Sequence, residues 1–157
     1  MSELKNKYRI YIDTSVIGGC FDIEFMEWSN KLFDEFREGE KIAVISDLTL
    51  DELSFARLEV RKHIETIPNE YIEYILSNER SEELAKKYID ENAVTKKSFQ
   101  DALHIAIATL NKVDVLVSWN FKHIVNLERI RKYNSINLKY GLQLLEIRNP
   151  REILTSG

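Results

Sequence analysis

Four polar residues, far apart in the chain, each stand where an apolar strand or helix meets its neighbour: Asp13, Glu52, Asp101 and Asn120. Asp13 ends the strand-like run Tyr8-Arg9-Ile10-Tyr11-Ile12. Glu52 lies early in the helix-like run that follows Ile42-Ala43-Val44-Ile45. Asp101 opens the apolar run Ala102-Leu103-His104-Ile105-Ala106-Ile107-Ala108, and Asn120 follows Val113-Asp114-Val115-Leu116-Val117-Ser118. In an open α/β sheet the carboxyl ends of the parallel strands form one edge, and sites gather there. Carboxylates crowded together repel one another and lose hydration, which a hard divalent cation among them offsets. The pattern points to an acidic metal site, with a metal-assisted hydrolase as the leading reading.

Each of the four also has a purely structural role open to it. Asp13 can cap the helix that follows it, with Thr14 and Ser15 as supporting donors or as further capping hydroxyls. Glu52 sits in Ser46-Asp47-Leu48-Thr49-Leu50-Asp51-Glu52-Leu53, where an early acid favours the helix dipole and where the sequence does not separate Glu52 from Asp51. Ser98-Phe99-Gln100-Asp101 has the form of a capping box. Asp101 nevertheless adjoins a nearly all-apolar helix, where an unpartnered charge is unfavourable. Asn120 can cap a turn. Its amide oxygen is a weaker ligand for a hard cation than a carboxylate, and Ser118 can orient a ligand or a bound water.

Other chemistries find less support. His63, His104 and His123 lack paired metal-ligand spacing and no cysteine joins them, which disfavours zinc. His104, one turn after Asp101, reads as a hydrogen-bonded, half-buried residue. Lys122 and His123 lie beside the candidate site, where they can touch phosphate or face solvent. The single cysteine, Cys20, has no evident catalytic partner, and it excludes an intramolecular disulfide. There is no Walker-A loop and no Gly-x-Gly-x-x-Gly.

The elements that must position these residues follow from periodicity. A strand is expected over 8–12, a short helix from Thr14 to Cys20, and an amphipathic helix over Glu24–Arg37, with Phe25, Trp28, Leu32, Phe33 and Phe36 at helical spacing. A second strand spans Lys41–Ser46, and a helix follows from Leu48 to Val60. Residues 61–95 are the least legible, with a turn at Ile67-Pro68-Asn69 and charged helices at about 69–77 and 79–91. Ser98–Asn111 is a buried helix, and Val113–Ser118 a β-branched strand. One or two short helices fall within Phe121–Tyr133, and a last strand near Leu144–Ile147. Strands alternating with helices give an α/β fold with a mainly parallel sheet.

The 157 residues fit one domain. An apolar fraction of 44% and a charged fraction of 31% suit a water-soluble globule. No apolar stretch or leader is evident, so a cytoplasmic location is expected. The net charge of −4 argues against a broad basic nucleic-acid surface. A nuclease remains open, because a bound cation reverses the local charge and a few Lys or Arg hold phosphates.

In this order and at this spacing, the motifs resemble the PIN-domain family of metal-dependent ribonucleases over roughly residues 8–150. The specific pieces are Tyr11-Ile12-Asp13-Thr14-Ser15-Val16-Ile17, Asp101-Ala102-Leu103-His104-Ile105-Ala106 and Leu116-Val117-Ser118-Trp119-Asn120-Phe121-Lys122-His123. Glu52 matches the second acidic position by its placement after the second strand. The resemblance implies a single PIN-like domain over 1–157, a Rossmann-like three-layer α/β/α sandwich. It implies Asp13, Glu52 and Asp101 around Mg²⁺ or Mn²⁺, with Asn120 completing the catalytic set. Thr14, Ser15 and Ser118 would support it, and Lys122 and His123 would bind substrate. It further implies an endoribonuclease acting on RNA, an antitoxin protein as partner in a toxin–antitoxin pair, and a homodimer. Asn120 departs from the family, where many members carry a fourth acid. One negative charge fewer weakens metal affinity and leaves open a catalytically weak protein that acts by binding. Two further alternatives are a haloacid-dehalogenase-type phosphatase, which lacks its second Asp because Ser15 stands there, and an interaction module whose four polar residues are only caps. The last predicts that the four do not converge.

Overall fold

The computed structural model describes residues 7–155. In chain order its regular elements are β1 (Arg9–Ile12), α1 (Thr14–Gly19), α2 (Met26–Arg37), β2 (Ile42–Ser46), α3 (Asp47–Leu53), α4 (Leu58–Arg61), β3 (Ile72–Ile75), α5 (Glu79–Asp90), α6 (Phe99–Leu110), β4 (Val115–Val117), α7 (Leu127–Lys139) and β5 (Ile147–Arg148). The strands form one sheet in the order β3-β2-β1-β4-β5, and every neighbouring pair is parallel. The chain therefore changes direction across the sheet between β1 and β4. Such a switch point opens a crevice at the carboxyl ends of the strands.

The central strands β1, β2 and β4 are buried on both faces, and their alternate side chains divide between two cores, as a period of two requires. Tyr11, Val44 and Leu116 point to a core with Leu84 and Tyr88 of α5, Ile105 and Ile107 of α6, and Tyr133 and Ile136 of α7. Ile10, Ile12, Ala43, Ile45 and Val117 point the other way, onto Val16 and Ile17 of α1, Leu32, Phe33 and Phe36 of α2, and Leu53 of α3. The result is a three-layer α/β/α sandwich. Gly39, just past α2, has φ +76, and a Cβ there would meet the Tyr71 ring at 2.5 Å. Only glycine suits this turn into β2.

Several boundaries differ from the sequence expectation. Residues 69–77 are not a helix: a 3₁₀ turn at Asn69–Tyr71 leads into β3. Ile72 to Ile75 pair with Ala43 to Ser46 of β2, and Glu73 forms an ion pair with Arg9 at 2.6 Å. A tertiary pairing thus overrides a segment whose charge hid its strand character. The helix expected from Leu48 to Val60 breaks into α3 and α4. Ser54 Oγ turns back to the Asp51 carbonyl at 2.6 Å, and Arg57 is extended. The region after Asn120 holds a turn and then one helix, α7, capped by Asn126, which accepts from the Arg129 N–H at 3.2 Å. Among the described residues, no helix is long and apolar enough to cross a membrane.

At the opposite end of the strands, Glu35 of α2 and Lys41 before β2 form a buried ion pair. Thr155 closes it, its N–H donating to Glu35 Oε2 at 3.0 Å. Removing one member of such a pair leaves a buried charge without a partner. Lys41→Met is therefore expected to lose about 3–5 kcal/mol of stability in urea unfolding, and Glu35→Leu added to it to recover most of the loss. An unchanged midpoint for the single variant would show that the pair does not hold α2 to the sheet.

Candidate active site

Each acidic side chain reaches the switch-point crevice from a different element. Asp13 is the N-cap of α1 and is 5% exposed. Its Oδ1 accepts from Ser15 Oγ at 2.6 Å and from the Val16 N–H at 3.3 Å, and its Oδ2 accepts from Ser118 Oγ at 2.6 Å. The same two hydroxyls accept from the loop after β4. The Trp119 N–H donates to Ser15 Oγ and the Asn120 N–H to Ser118 Oγ, each at 2.9 Å. Asp13 is thus a cap, as its position allows, and also the anchor that ties β1 to the end of β4.

Glu52, rather than Asp51, faces the site from the last turn of α3. Its Oε1 accepts from Thr14 Oγ1 at 2.6 Å and from His104 Nε2 at 2.9 Å. His104 is 2% exposed, fully buried rather than half-buried. Its Nδ1 lies 2.6 Å from the Tyr11 hydroxyl, which lies 2.7 Å from Ser46 Oγ. Ser46 in turn caps α3, accepting from the Thr49 N–H at 3.2 Å. A proton on Nε2 satisfies both His104 bonds, with Tyr11 donating to Nδ1. The sequence gives His104 a hydrogen-bonding role without its partners, and assigns no place in the site to Tyr11 or Ser46. The available signal was spacing: His104 is one turn from Asp101 on a buried helix, and Tyr11 points to the same core from β1.

Asp101 stands in the first turn of α6, where Ser98 makes no side-chain cap. The capping box suggested by the sequence does not form. Asp101 Oδ1 accepts instead from Asn120 Nδ2 at 3.2 Å. The Asn120 amide oxygen accepts from the N–H groups of Lys122 and His123 at 3.2 and 3.0 Å. Asn120 therefore directs its donor, not its oxygen, toward Asp101. Lys122 is exposed. His123 is partly buried, and its Nδ1 has no partner among the described residues.

Asp13, Thr14, Ser15, Glu52, Asp101, His104 and Asn120 line one cavity of about 330 Å³. The four sequence-predicted positions converge, as chance caps would not. Burial pushes the Asp13 carboxyl above its ordinary pKa, against His104 and the Ser118 and Ser15 hydroxyls. Burial also raises Asp101; His123 and His104 oppose this, and the charges of Asp13 and Glu52 add to it. Burial raises Glu52 too, but the His104 and Thr14 bonds outweigh it and leave its pKa lowered.

The donor set can be tested against a divalent cation. Among the described residues, neither Asp13 nor Asp101 pairs with a Lys or Arg, and Glu52 pairs only with His104. A carboxylate-lined pocket with no Lys or Arg in its described lining has the hard-oxygen chemistry of Mg²⁺ or Mn²⁺. The side chains are not closed on a common point: among the described residues, no three of His, Cys, Asp or Glu stand close enough to hold an ion. The residue types fit the cation, and the acids would have to draw together around it.

No family model matches the sequence, and no curated protein matches it either. Solved structures do match by fold. VapC20 of Mycobacterium tuberculosis, a sarcin-ricin loop cleaving toxin, aligns with a TM-score of 0.55 and 15% identity over 73% of this chain and 92% of its own. VapBC2 of Rickettsia felis, solved bound to a DNA fragment from its promoter, gives 0.54 and 15% over 90% and 98%. A toxin–antitoxin complex from Klebsiella pneumoniae gives 0.50 and 16% over 73% and 88%. The chain thus has the PIN-like α/β/α fold of these toxins.

The raised Asp101 pKa has a consequence for stability. A carboxyl whose folded pKa lies above its unfolded value supports the fold below the unfolded pKa, and that support is lost as pH rises through the folded pKa. At neutral pH without divalent cations, Asp101→Asn is expected to unfold at a higher temperature than the natural chain. Well below the carboxylate range the difference should vanish. Equal melting temperatures at neutral pH would mean that the Asp101 charge is already compensated.

Proposed function

We propose that the chain is a metal-dependent endoribonuclease and the toxin of a toxin–antitoxin pair. The observation that carries this reading is the convergence of Asp13, Glu52 and Asp101 on one cavity at the sheet's switch point, in a fold shared with VapC toxins. Asp13 and Asp101 would hold Mg²⁺ or Mn²⁺ directly, and Glu52 directly or through water. The cation, when bound, supplies charge for a phosphate oxygen and acidifies a water for attack on phosphorus.

The chain's own residues do the positioning. Ser15 and Ser118 fix both Asp13 oxygens, so the carboxylate is presented in one orientation. Thr14 and His104 hold Glu52 ionised at the rim. Asn120 completes the catalytic set by steadying Asp101 without adding a like charge. Lys122, exposed beside Asn120, and His123 would meet the RNA phosphates. An antitoxin protein, a homodimer and a cytoplasmic location belong to the same proposal.

A second reading is a catalytically weak PIN-like protein that acts by binding protein or RNA. It is favoured by the amide at Asn120 and by the open spacing of the acids. Mn²⁺ binding separates the two readings.

Purified protein is expected to cleave single-stranded RNA with Mn²⁺, and both Asp13→Ala and Asp101→Ala to lose this activity while keeping a native circular dichroism spectrum. Cleavage that survives in both variants would place the chemistry elsewhere. Asn120→Asp sets a second carboxylate against Asp101 in place of a donor. It is expected to lower the melting temperature in EDTA and to tighten Mn²⁺ binding by about tenfold, in the range for groups that orient metal ligands. Isothermal titration reads this directly, and unchanged affinity would mean that position 120 does not face the cation.

A further inference from the structure

Beside the acidic pocket lies a second cavity of about 370 Å³, lined by Ser15, Gly18, Gly19, Asp22, Phe25, Trp119 and Asn120. The two share Ser15 and Asn120. Its volume falls within the ~300–1,000 Å³ range of small-ligand sites. Phe25 and Trp119 stack in its wall, with ring centroids 4.2 Å apart and planes 18° from parallel. Phe121, 47% exposed, stands edge-on to Trp119 at 6.0 Å. Trp119 is fixed from behind, its indole N–H donating to Ser29 Oγ at 2.8 Å.

We propose that this cavity is a stacking subsite for one unpaired nucleobase of the RNA, adjoining the phosphate that the carboxylates address. The proposal rests on the ribonuclease reading for the identity of the polymer. The lining argues for a base rather than for the backbone. Among the described residues no Lys or Arg lines the cavity, and Asp22 does, so an anionic phosphate is repelled there. Trp119 is 8% exposed and already stacked on Phe25, so a planar uncharged ring meets the half-buried Phe25 as the aromatic surface, with polar edges at Asn120 and Ser15. Single strands are held in this way, by bases set on aromatic side chains, because every base has a π-face. A base inside a duplex is already stacked and does not reach such a cavity. The subsite therefore selects single-stranded or looped RNA, a preference that the acidic pocket alone does not supply.

Gly18 gives a clean way to close the subsite. A Cβ built there meets nothing within 4 Å, so a larger side chain enters open space rather than the core. Gly18→Leu fills the cavity, and Phe25→Leu keeps apolar bulk while removing the ring. Both are made in Trp28→Phe, Asp101→Asn protein, so that Trp119 is the one remaining tryptophan and bound RNA stays intact. A short single-stranded oligoribonucleotide of mixed sequence is titrated while Trp119 fluorescence is followed. Quenching is expected, with binding about tenfold weaker in each variant, the scale of one base–aromatic stack. Equal affinity in both variants, or binding that leaves Trp119 unquenched, overturns the subsite. Cleavage of the same oligonucleotide by otherwise natural protein is measured in parallel. Cleavage with Gly18→Leu binding unimpaired removes the subsite and keeps the ribonuclease. Quenching relieved by both variants without any cleavage keeps the subsite and removes the ribonuclease. Neither binding nor cleavage removes both.

Discussion

The structure turns on a buried negative charge. Asp13 is all but withdrawn from solvent, yet among the described residues no Lys or Arg pairs with it, and only the charge of His104 acts on it from a distance. A carboxylate so placed is strongly disfavoured unless its lone pairs are occupied. Two serine hydroxyls occupy them, and each has only one proton to give. By giving it to Asp13, Ser15 and Ser118 are left as acceptors for the N–H groups of Trp119 and Asn120. The carboxylate therefore dictates the path of the chain after β4. That path sets Asn120 against Asp101 and Trp119 against Phe25. One charge thus organises the acidic pocket and the aromatic cavity beside it.

Glu52 is held by a different device. It sits on the far side of β1 from the β4 loop, and its support runs through the core. Ser46, Tyr11 and His104 form a line of hydrogen bonds that crosses from the cap of α3, over β1, to α6. A buried polar chain of this kind is favourable only when every member is satisfied, and here each bond fixes the next donor. The two acids that share the cavity with Asp101 therefore differ in character. Asp13 is buried and its proton is retained more readily than usual, whereas Glu52 is more exposed and stays ionised. An unequal set eases the folding of the pocket, because three equal charges in so small a volume would push the elements apart.

Much of this was legible from residue type and position. A strand ending in Asp, a buried helix opening on Asp and a β-branched strand followed by Ser-Trp-Asn locate the crevice without coordinates. Periodicity distinguished α2 and α6 because their apolar faces are long. It failed at β3, where Glu73 interrupts an otherwise β-prone run and is neutralised by Arg9, 64 residues away. It failed again at Ser54, where a single side-chain bond ends α3 early enough to leave Phe55 in solvent. The capping box at Ser98 was a local motif with a competing partner: Asp101 is taken by Asn120, and a local pattern carries no record of a residue 19 positions on. His104 was underrated for the same reason, since its partners lie on β1 and α3.

Asn120 lines both the acidic pocket and the cavity beside it. A fourth carboxylate at this place would face Asp101, whose proton is already held more tightly by burial and, to a lesser degree, by the charges of Asp13 and Glu52. An amide changes the sign of that contact, because Nδ2 donates where a carboxylate would repel. Its oxygen is then free to bind the Lys122 and His123 N–H groups and to tighten the turn. The exchange steadies the cation-free pocket and lowers the charge available to a cation. A pocket with one charge fewer is easier to fold, and under the proposed metal reading it would attract a cation less strongly. The same turn keeps Lys122 at the surface and Trp119 in the wall of the neighbouring cavity. Asn120 is therefore a residue through which the acidic pocket and the cavity beside it are joined, and with them the metal, phosphate and base sites proposed above.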